Sequence, residues 1–205
     1  TGNGRCNLSN SNLDISHYHG DNTGFASYAL QNFDSIKVCA WFRDLGLYTV
    51  EENSGRIYPY SDQANSVVDV LRLALNKENI TVLTGNEIAK IRRKDEGFLI
   101  NDTDFCDRII IACGGLAGTK LGGTMSGYKL LNKLGHKSTQ LRPSLVQLKC
   151  SWPAVVSLKG VRCECGMQIL HNGDRYASAN GELQFTEYGL SGPVIFEISR
   201  DVCQE

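Results

Sequence analysis

The strongest pattern along the chain is a set of apolar residues at Ala64, Val67, Val68, Leu71 and Leu75. Their spacing of i, i+3, i+4, i+7 and i+11 places them on one face of a helix, with Ser61 or Asp62 positioned as the N-cap. Two weaker helical patterns precede it. One runs from a cap at Asp21 or Thr23 to about Asn32. The other is capped by Asp34, carries Ile36, Val38, Ala40, Trp41 and Leu45 as contacts, and ends at Gly46. Tyr48 to Val50 and Arg56 to Tyr58 read as short strands on either side of the polar turn Glu52-Asn53-Ser54-Gly55. Residues 2–19 are rich in Gly, Asn and Ser without sustained periodicity and read as loop.

Beyond the main helix the period changes. Ile80 to Leu83 is a short apolar run that predicts a buried strand. Glu87 to Arg93 and Gly97 to Asn101 predict a hairpin across Lys94-Asp95-Glu96. Ile109-Ile110-Ile111-Ala112-Cys113 is continuously apolar and ends in Gly114-Gly115, the pattern of a strand covered on both faces that feeds a tight turn. Gly127 to Leu134 predicts a short helix closed by Gly135. After Pro143 strands dominate: Leu145 to Lys149, Gly160 to Leu170 and Arg175 to Thr186, with Asn172-Gly173-Asp174 as a hairpin turn. Leu190-Ser191-Gly192-Pro193 then opens a helix with proline at its first position. The pattern predicts an α/β protein with an α+β admixture, divided into residues 1–144 and 145–205.

Composition changes this picture little. The 205 residues carry 21 basic and 22 acidic side chains, a formal net charge of -1. That balance gives no electrostatic reason to expect nucleic acid or an anionic membrane as partner. No apolar run approaches the roughly 20 residues that span a bilayer, and no signal-peptide core is visible, so a cytoplasmic protein is expected. Cys39, Cys106, Cys113 and Cys150 sit singly in apolar segments, as small buried hydrophobes do. Only Cys163 and Cys165 are close, and no second pair or histidine completes a zinc signature. No metal site is expected. The four histidines pair with no nucleophile or ligand set.

Three segments are candidates for chemistry. In Thr1-Gly2-Asn3-Gly4-Arg5-Cys6-Asn7, two glycines beside an arginine let backbone approach an anionic or planar ligand, although an ordinary turn accounts for the same residues. Ala112-Cys113-Gly114-Gly115 ends a predicted strand, where ligands of open α/β sheets lie; a tight turn is the alternative. Arg56 in Gly55-Arg56-Ile57-Tyr58-Pro59 either meets a carboxylate, phosphate or flavin edge, or is a surface arginine in a hairpin.

The order of these pieces is more informative than any one of them. Gly2-Asn3-Gly4-Arg5-Cys6-Asn7-Leu8-Ser9-Asn10 is followed by Gly55-Arg56-Ile57-Tyr58-Pro59, then Ala112-Cys113-Gly114-Gly115, Gly127-Tyr128 and Leu134-Gly135-His136. Leu141-Arg142-Pro143-Ser144-Leu145-Val146 and Gly181-Glu182-Leu183-Gln184-Phe185-Thr186 follow, running into Gly189-Leu190-Ser191-Gly192-Pro193. The series resembles the bacterial NAD(FAD)-utilising dehydrogenases, the BaiN-like flavoproteins that include proteins called aminoacetone oxidases.

The resemblance implies a glutathione-reductase-like FAD domain interrupted by an inserted β-rich domain. It also implies an FAD-dependent oxidoreductase acting on a small molecule, with NAD(P)H a candidate electron donor. Position by position, Gly2, Gly4, Arg5, Cys6 and Asn7 match the loop beside FAD. Ile88 matches the strand residue whose backbone contacts adenine in similar folds, and Ala112, Gly114 and Gly115 match the second FAD motif. Arg56 and Tyr58 are the candidates for the substrate side; no acid, base or nucleophile is assigned.

The series departs from the family at Cys113, where threonine is usual, and at Thr124-Met125-Ser126-Gly127, where T-G-D-G is common. The G-x-G-x-x-G strand-turn-helix that grips the FAD pyrophosphate in such proteins does not occur in the sequence. The expectation is therefore an internal fragment that binds FAD poorly by itself. The competing expectations are a non-catalytic remnant serving as a binding or assembly module, and a zinc or redox-thiol protein using Cys163 and Cys165.

Overall fold

The computed structural model describes residues 4–20 and 22–202, so Gly2 of the predicted loop lies outside the described residues. The chain divides into two compact units, Thr1–Leu134 and Gly135–Glu205. Helices and strands are mixed in the first, and every strand pair among the described residues is antiparallel.

The first unit opens with strand β1 (Ser9–Asn10), in a segment that sequence periodicity reads as loop. A 3-10 turn over Thr23–Ala26, whose cap position is Asn22 without a side-chain bond, leads into helix α1 (Ser27–Asn32); Thr23 is thus not the cap, and Asp21, the other predicted cap, lies outside the described residues. Helix α2 (Ser35–Asp44) starts as expected, with the Asp34 carboxylate accepting from the Lys37 amide at 2.8 Å. It ends at Gly46, whose φ of 91° is open to glycine. The Leu47 amide donates to the Phe42 carbonyl and Gly46 to Arg43, both at 2.9 Å, the paired bonds of a Schellman ending. Phe42 and Leu47 thereby meet, and with Val67 they form a buried cluster against which Cys6, Leu8, Val38, Val70 and Leu71 pack.

Strands β2 (Thr49–Glu51) and β3 (Arg56–Pro59) pair with Val50 opposite Tyr58, and β1 adds on the other side with Ser9 opposite Ile57. The sheet order is β1-β3-β2.

Helix α3 (Ala64–Ala74) departs from expectation at its start. Neither Ser61 nor Asp62 caps it. Asp62 stands at φ 55° in a turn closed by its amide on the Pro59 carbonyl, and the Ser61 hydroxyl donates to Ser66. Gln63 takes the cap position without a side-chain bond, and the first-turn amide of Ala64, which has no partner within the helix, donates to the Gly4 carbonyl at 2.6 Å. A loop carbonyl distant in sequence thus does the capping. The buried stripe of α3 is also narrower than its periodicity implies: Val67 is buried, while Val68 and Leu75 are exposed.

Strands β4 (Ile91–Lys94) and β5 (Gly97–Ile100) form the expected hairpin, and β6 (Asp104–Cys106) joins it as a third strand. The ladder starts at Ile91 rather than Glu87. Before it, the Asn101 amide group ties down the backbone, accepting from Ala89 and Lys90 and donating to the Glu87 carbonyl.

Two predicted strands are not strands. Residues 80–83 and 109–113 have no ladder partner among the described residues, and a strand exists only through its neighbour's hydrogen bonds. Both are exposed in part: Leu83 at 69% and Ile110 at 91% of their surface. Helix α4 (Ser126–Lys133) closes the unit, ended by Gly135 at φ 92° as predicted.

In the second unit, β7 (Leu148–Lys149) is shorter than the apolar run suggests, and a 3-10 segment covers Pro153–Leu158. Strands β8 (Arg162–His171) and β9 (Asp174–Phe185) form a long hairpin. Asn172 and Gly173 both have positive φ, 53° and 93°, the two left-handed residues of a type I′ turn. A third strand missed by periodicity, β10 (Gly189–Ser191), lies between β9 and β7. Helix α5 (Pro193–Val202) starts on its proline. Its Val194, Ile195 and Ile198 pack with Ala179 and Leu183, and with the inward residues Cys165, Met167 and Ile169 of β8.

Candidate functional site

The predicted site residues fall in three stretches of the first unit. The richest is the β1–β3–β2 sheet. On β3 burial alternates: Arg56 is exposed, Ile57 buried, Tyr58 half-buried and Pro59 buried. Arg56 and Tyr58 therefore share the more open face of the central strand.

The loop Gly4-Arg5-Cys6-Asn7 runs into that sheet. The Leu8 amide donates to the Ile57 carbonyl at 2.8 Å, and Cys6 and Leu8 turn inward onto the Phe42–Leu47–Val67 cluster. Asn7 is exposed, and its side-chain amide, with nitrogen turned toward the chain, donates to the Ile57 and Ser9 carbonyls.

Arg5 is held on three sides. Its Nη2 donates to Glu52 Oε1 at 2.5 Å, its Nε to Asp62 Oδ1 at 2.5 Å, and its guanidinium carbon lies 4.1 Å from the centre of the Tyr58 ring. The hydrogen bond to Glu52, then that to Asp62, raises the guanidinium pKa further above its already high value. The sequence marks neither Glu52 nor Asp62 as a partner of Arg5; Asp62 reads there only as a candidate helix cap. They stand 47 and 57 residues from Arg5, separations no local pattern marks.

An open groove of about 340 Å³ lies beside β1, lined by Asn10, Asn12, Leu13, Asp14, His17, Tyr18 and Ser54. The hydrogen bonds from Ser16 hold the Asp14 carboxyl below the usual carboxylate range. This groove also escaped the sequence reading, because its residues come from a segment without periodicity.

The second stretch is Ile88, half-buried, in the backbone run held by Asn101. The third is residues 112–115. Ala112, Cys113 and Gly114 are exposed, so Cys113 is not the buried hydrophobe its apolar setting predicts. Gly114 has φ 76°, with open space where a Cβ would stand. The segment lies against the start of α4. A Cβ on Gly127 would come within 2.6 Å of Cys113 Sγ, and one on Gly115 within 3.2 Å of the Tyr128 ring. At the same helix start, Thr124 and Ser126 bond to each other through their hydroxyls at 2.8 Å.

The exposed glycine backbone at Gly4 and at Gly114 does not obstruct a dinucleotide flavin. Both have positive φ and nothing within 4 Å of a would-be Cβ. Such open backbone leaves room for a flat or phosphate-bearing ligand at the peptide groups, a geometry that Gly46 and Gly135 at helix ends and Gly173 in a hairpin turn share.

Among the described residues no cluster of three or more potential metal ligands occurs, and the seven described cysteines are free thiols. Cys165 is pushed up in pKa, first by burial and then by neighbouring Cys163. No helix among the described residues is long and apolar enough to cross a membrane.

Comparison with known proteins places the chain in a family. The chain is 38% identical over 207 residues to a 3-dehydro-bile acid delta(4,6)-reductase of Clostridium scindens, covering all of this chain and 50% of that protein. It is 27% identical over 202 residues to a ribosomal RNA dihydrouridine synthase of Escherichia coli, covering 97% of the chain and 50% of that protein. A protein of the same name from Haemophilus influenzae is 26% identical over 208 residues. The chain thus spans about half the length of the curated relatives it matches. The model of the HI0933-like protein Rossmann domain matches residues 1–191, and the chain belongs to that family, the BaiN-like flavoproteins.

Proposed function

We propose that this chain is part of an FAD-dependent oxidoreductase that transfers a hydride to or from a small molecule. The observation that carries the reading is the match of the HI0933-like Rossmann domain model to residues 1–191, together with 38% identity to a reductase across the whole chain; the open glycine backbone at Gly4 and Gly114 is compatible with it. Bound FAD supplies a hydride carrier that no side chain of this sequence can replace.

The protein's part is to hold and orient it. Gly4, Cys6 and Asn7 offer one stretch of backbone, Ala112, Gly114 and Gly115 a second, and the chain around Ile88 a third. Arg56 and Tyr58, on the more open face of β3, are the residues proposed to meet the substrate. NAD(P)H is the proposed electron donor.

The relatives' names point to different substrates, a bile acid derivative in one and ribosomal RNA in the others. The small-molecule reading is preferred because 21 basic residues against 22 acidic ones provide no excess positive charge for a polyanion. We further propose that the 205-residue chain alone binds FAD weakly, since its sequence contains no phosphate-gripping G-x-G-x-x-G helix start.

Titrating FAD into the purified chain tests both statements. Weak, saturable binding that Gly114→Val abolishes supports them. Micromolar affinity with a perturbed flavin spectrum overturns the weak-binding statement, and absence of any saturable binding, in the chain and in its parent protein alike, overturns the FAD reading.

A further inference from the structure

The arginine of the Gly4-Arg5-Cys6-Asn7 loop is the one strongly charged group in the first candidate motif, and its surroundings are unusual for a phosphate ligand. Its guanidinium donates to two carboxylates, Glu52 and Asp62, and stacks on Tyr58. One positive and two negative charges leave the group with a net charge of -1, which repels an anion rather than attracting it.

Each partner belongs to a different element. Glu52 follows β2, Tyr58 lies in β3, and Asp62 sits in the turn before α3. Around this centre the loop's backbone is tied to two of the same elements: the Gly4 carbonyl accepts from Ala64 at the start of α3, and Leu8 donates to Ile57 in β3. Arginine suits the role. Its planar fork reaches two carboxylates and presents a flat face to an aromatic ring, whereas a lysine ammonium is a single point donor.

We propose that Arg5 is a positioning residue, not a phosphate ligand: it clamps the Gly4–Asn7 loop to the β2–β3 hairpin and the α3 turn, fixing the loop backbone and the Tyr58 ring. The inference deepens the FAD reading given above, and its first readout does not depend on that reading.

Amide hydrogen exchange of the ligand-free chain supplies that readout. Arg5→Gln speeds exchange at Leu8 and Ala64 several-fold, the Glu52→Gln/Asp62→Asn variant does the same, and the β4–β5 hairpin amides are unchanged. Unaltered exchange at Leu8 and Ala64 in Arg5→Gln overturns the clamp.

FAD titration separates the clamp from a direct ligand. For a clamp, Arg5→Lys loses as much affinity as Arg5→Gln, because the ammonium cannot bridge and stack. Arg5→Gln then costs nothing further once Glu52 and Asp62 are neutralised. For a phosphate ligand, Arg5→Lys restores most of the affinity, and Arg5→Gln loses the same fold in both backgrounds; either result overturns the proposal. If the unaltered chain shows no response to FAD, the cofactor reading fails while the exchange data still decide the clamp.

Discussion

Gly192 offers a quantitative test of how the second unit is built. It stands between β10 and α5 with φ 100°, and a Cβ there would lie 2.4 Å from the Glu182 carbonyl oxygen and 3.1 Å from the Gln184 amide nitrogen. Both atoms belong to the backbone of β9, so no side-chain rotation relieves the contact. Gly192→Ala therefore carries two costs. The left-handed conformation costs an L-residue about 1–2 kcal/mol, and displacing packed backbone costs about 1–3 kcal/mol. Reduced freedom of the unfolded chain offsets about 0.4–1 kcal/mol. The net loss is about 1–4.5 kcal/mol.

Gly173 in the hairpin turn is the matched control. Its φ of 93° is nearly the same, but nothing lies within 4 Å of a would-be Cβ. Gly173→Ala carries only the conformational cost less the same offset, a net of about 0–1.5 kcal/mol. The assay is urea unfolding followed by Trp152 fluorescence in a Trp41→Phe background, Trp41 being the other of the two tryptophans. With a slope of about 2 kcal/mol per molar urea, Gly192→Ala lowers the midpoint by about 0.5–2 M. If the two substitutions agree within about 0.5 kcal/mol, the ordinary range of a neutral surface change, the close approach of β9 to Gly192 is refuted.

Two further outcomes follow from the charges and thiols. Hydrogen bonding by Lys90, and then by Arg92, holds the Asp102 carboxyl below its ordinary pKa. A carboxyl depressed in the folded state adds stability above its unfolded pKa and loses it as the pH falls. Asp102→Asn should therefore lower stability at neutral pH and converge with the unaltered protein below about pH 4, as followed by thermal unfolding across pH; a constant difference down to acid pH contradicts the pairing. Burial raises the Cys165 pKa, so iodoacetamide at pH 8 should label exposed Cys113 and Cys163 well before Cys165. Peptide mass mapping checks the order, and equal labelling rates refute it.

The parts of the fold legible in the sequence are those fixed by short-range chemistry. Asp34 caps α2 because the aspartate lies three residues from the amide it accepts, and Gly46, Gly135 and Asn172-Gly173 mark positive φ wherever they occur. The hairpins β4–β5 and β8–β9 are local pairings and were visible for the same reason. What the sequence hid is long-range. The start of α3 is satisfied by the Gly4 carbonyl, not by Ser61 or Asp62, and Asp62 is instead engaged by Arg5. Apolar content alone predicted strands at 80–83 and 109–113, yet strands depend on neighbours, and neither run has one among the described residues.

The candidate site divides in the same way. The glycines of the motifs were readable, since only an unbranched residue leaves the backbone open at positive φ. The carboxylate pair around Arg5 was not, since contacts across 47 and 57 residues leave no trace in periodicity.

The most direct test of the central claim is the flavin content of the protein that carries this sequence. Purified without added cofactor and then denatured, it is expected to release FAD in near-equal proportion to protein, and Gly4→Val or Gly114→Val should sharply reduce that yield. A protein that releases no flavin and shows no flavin absorbance after incubation with FAD would contradict the account.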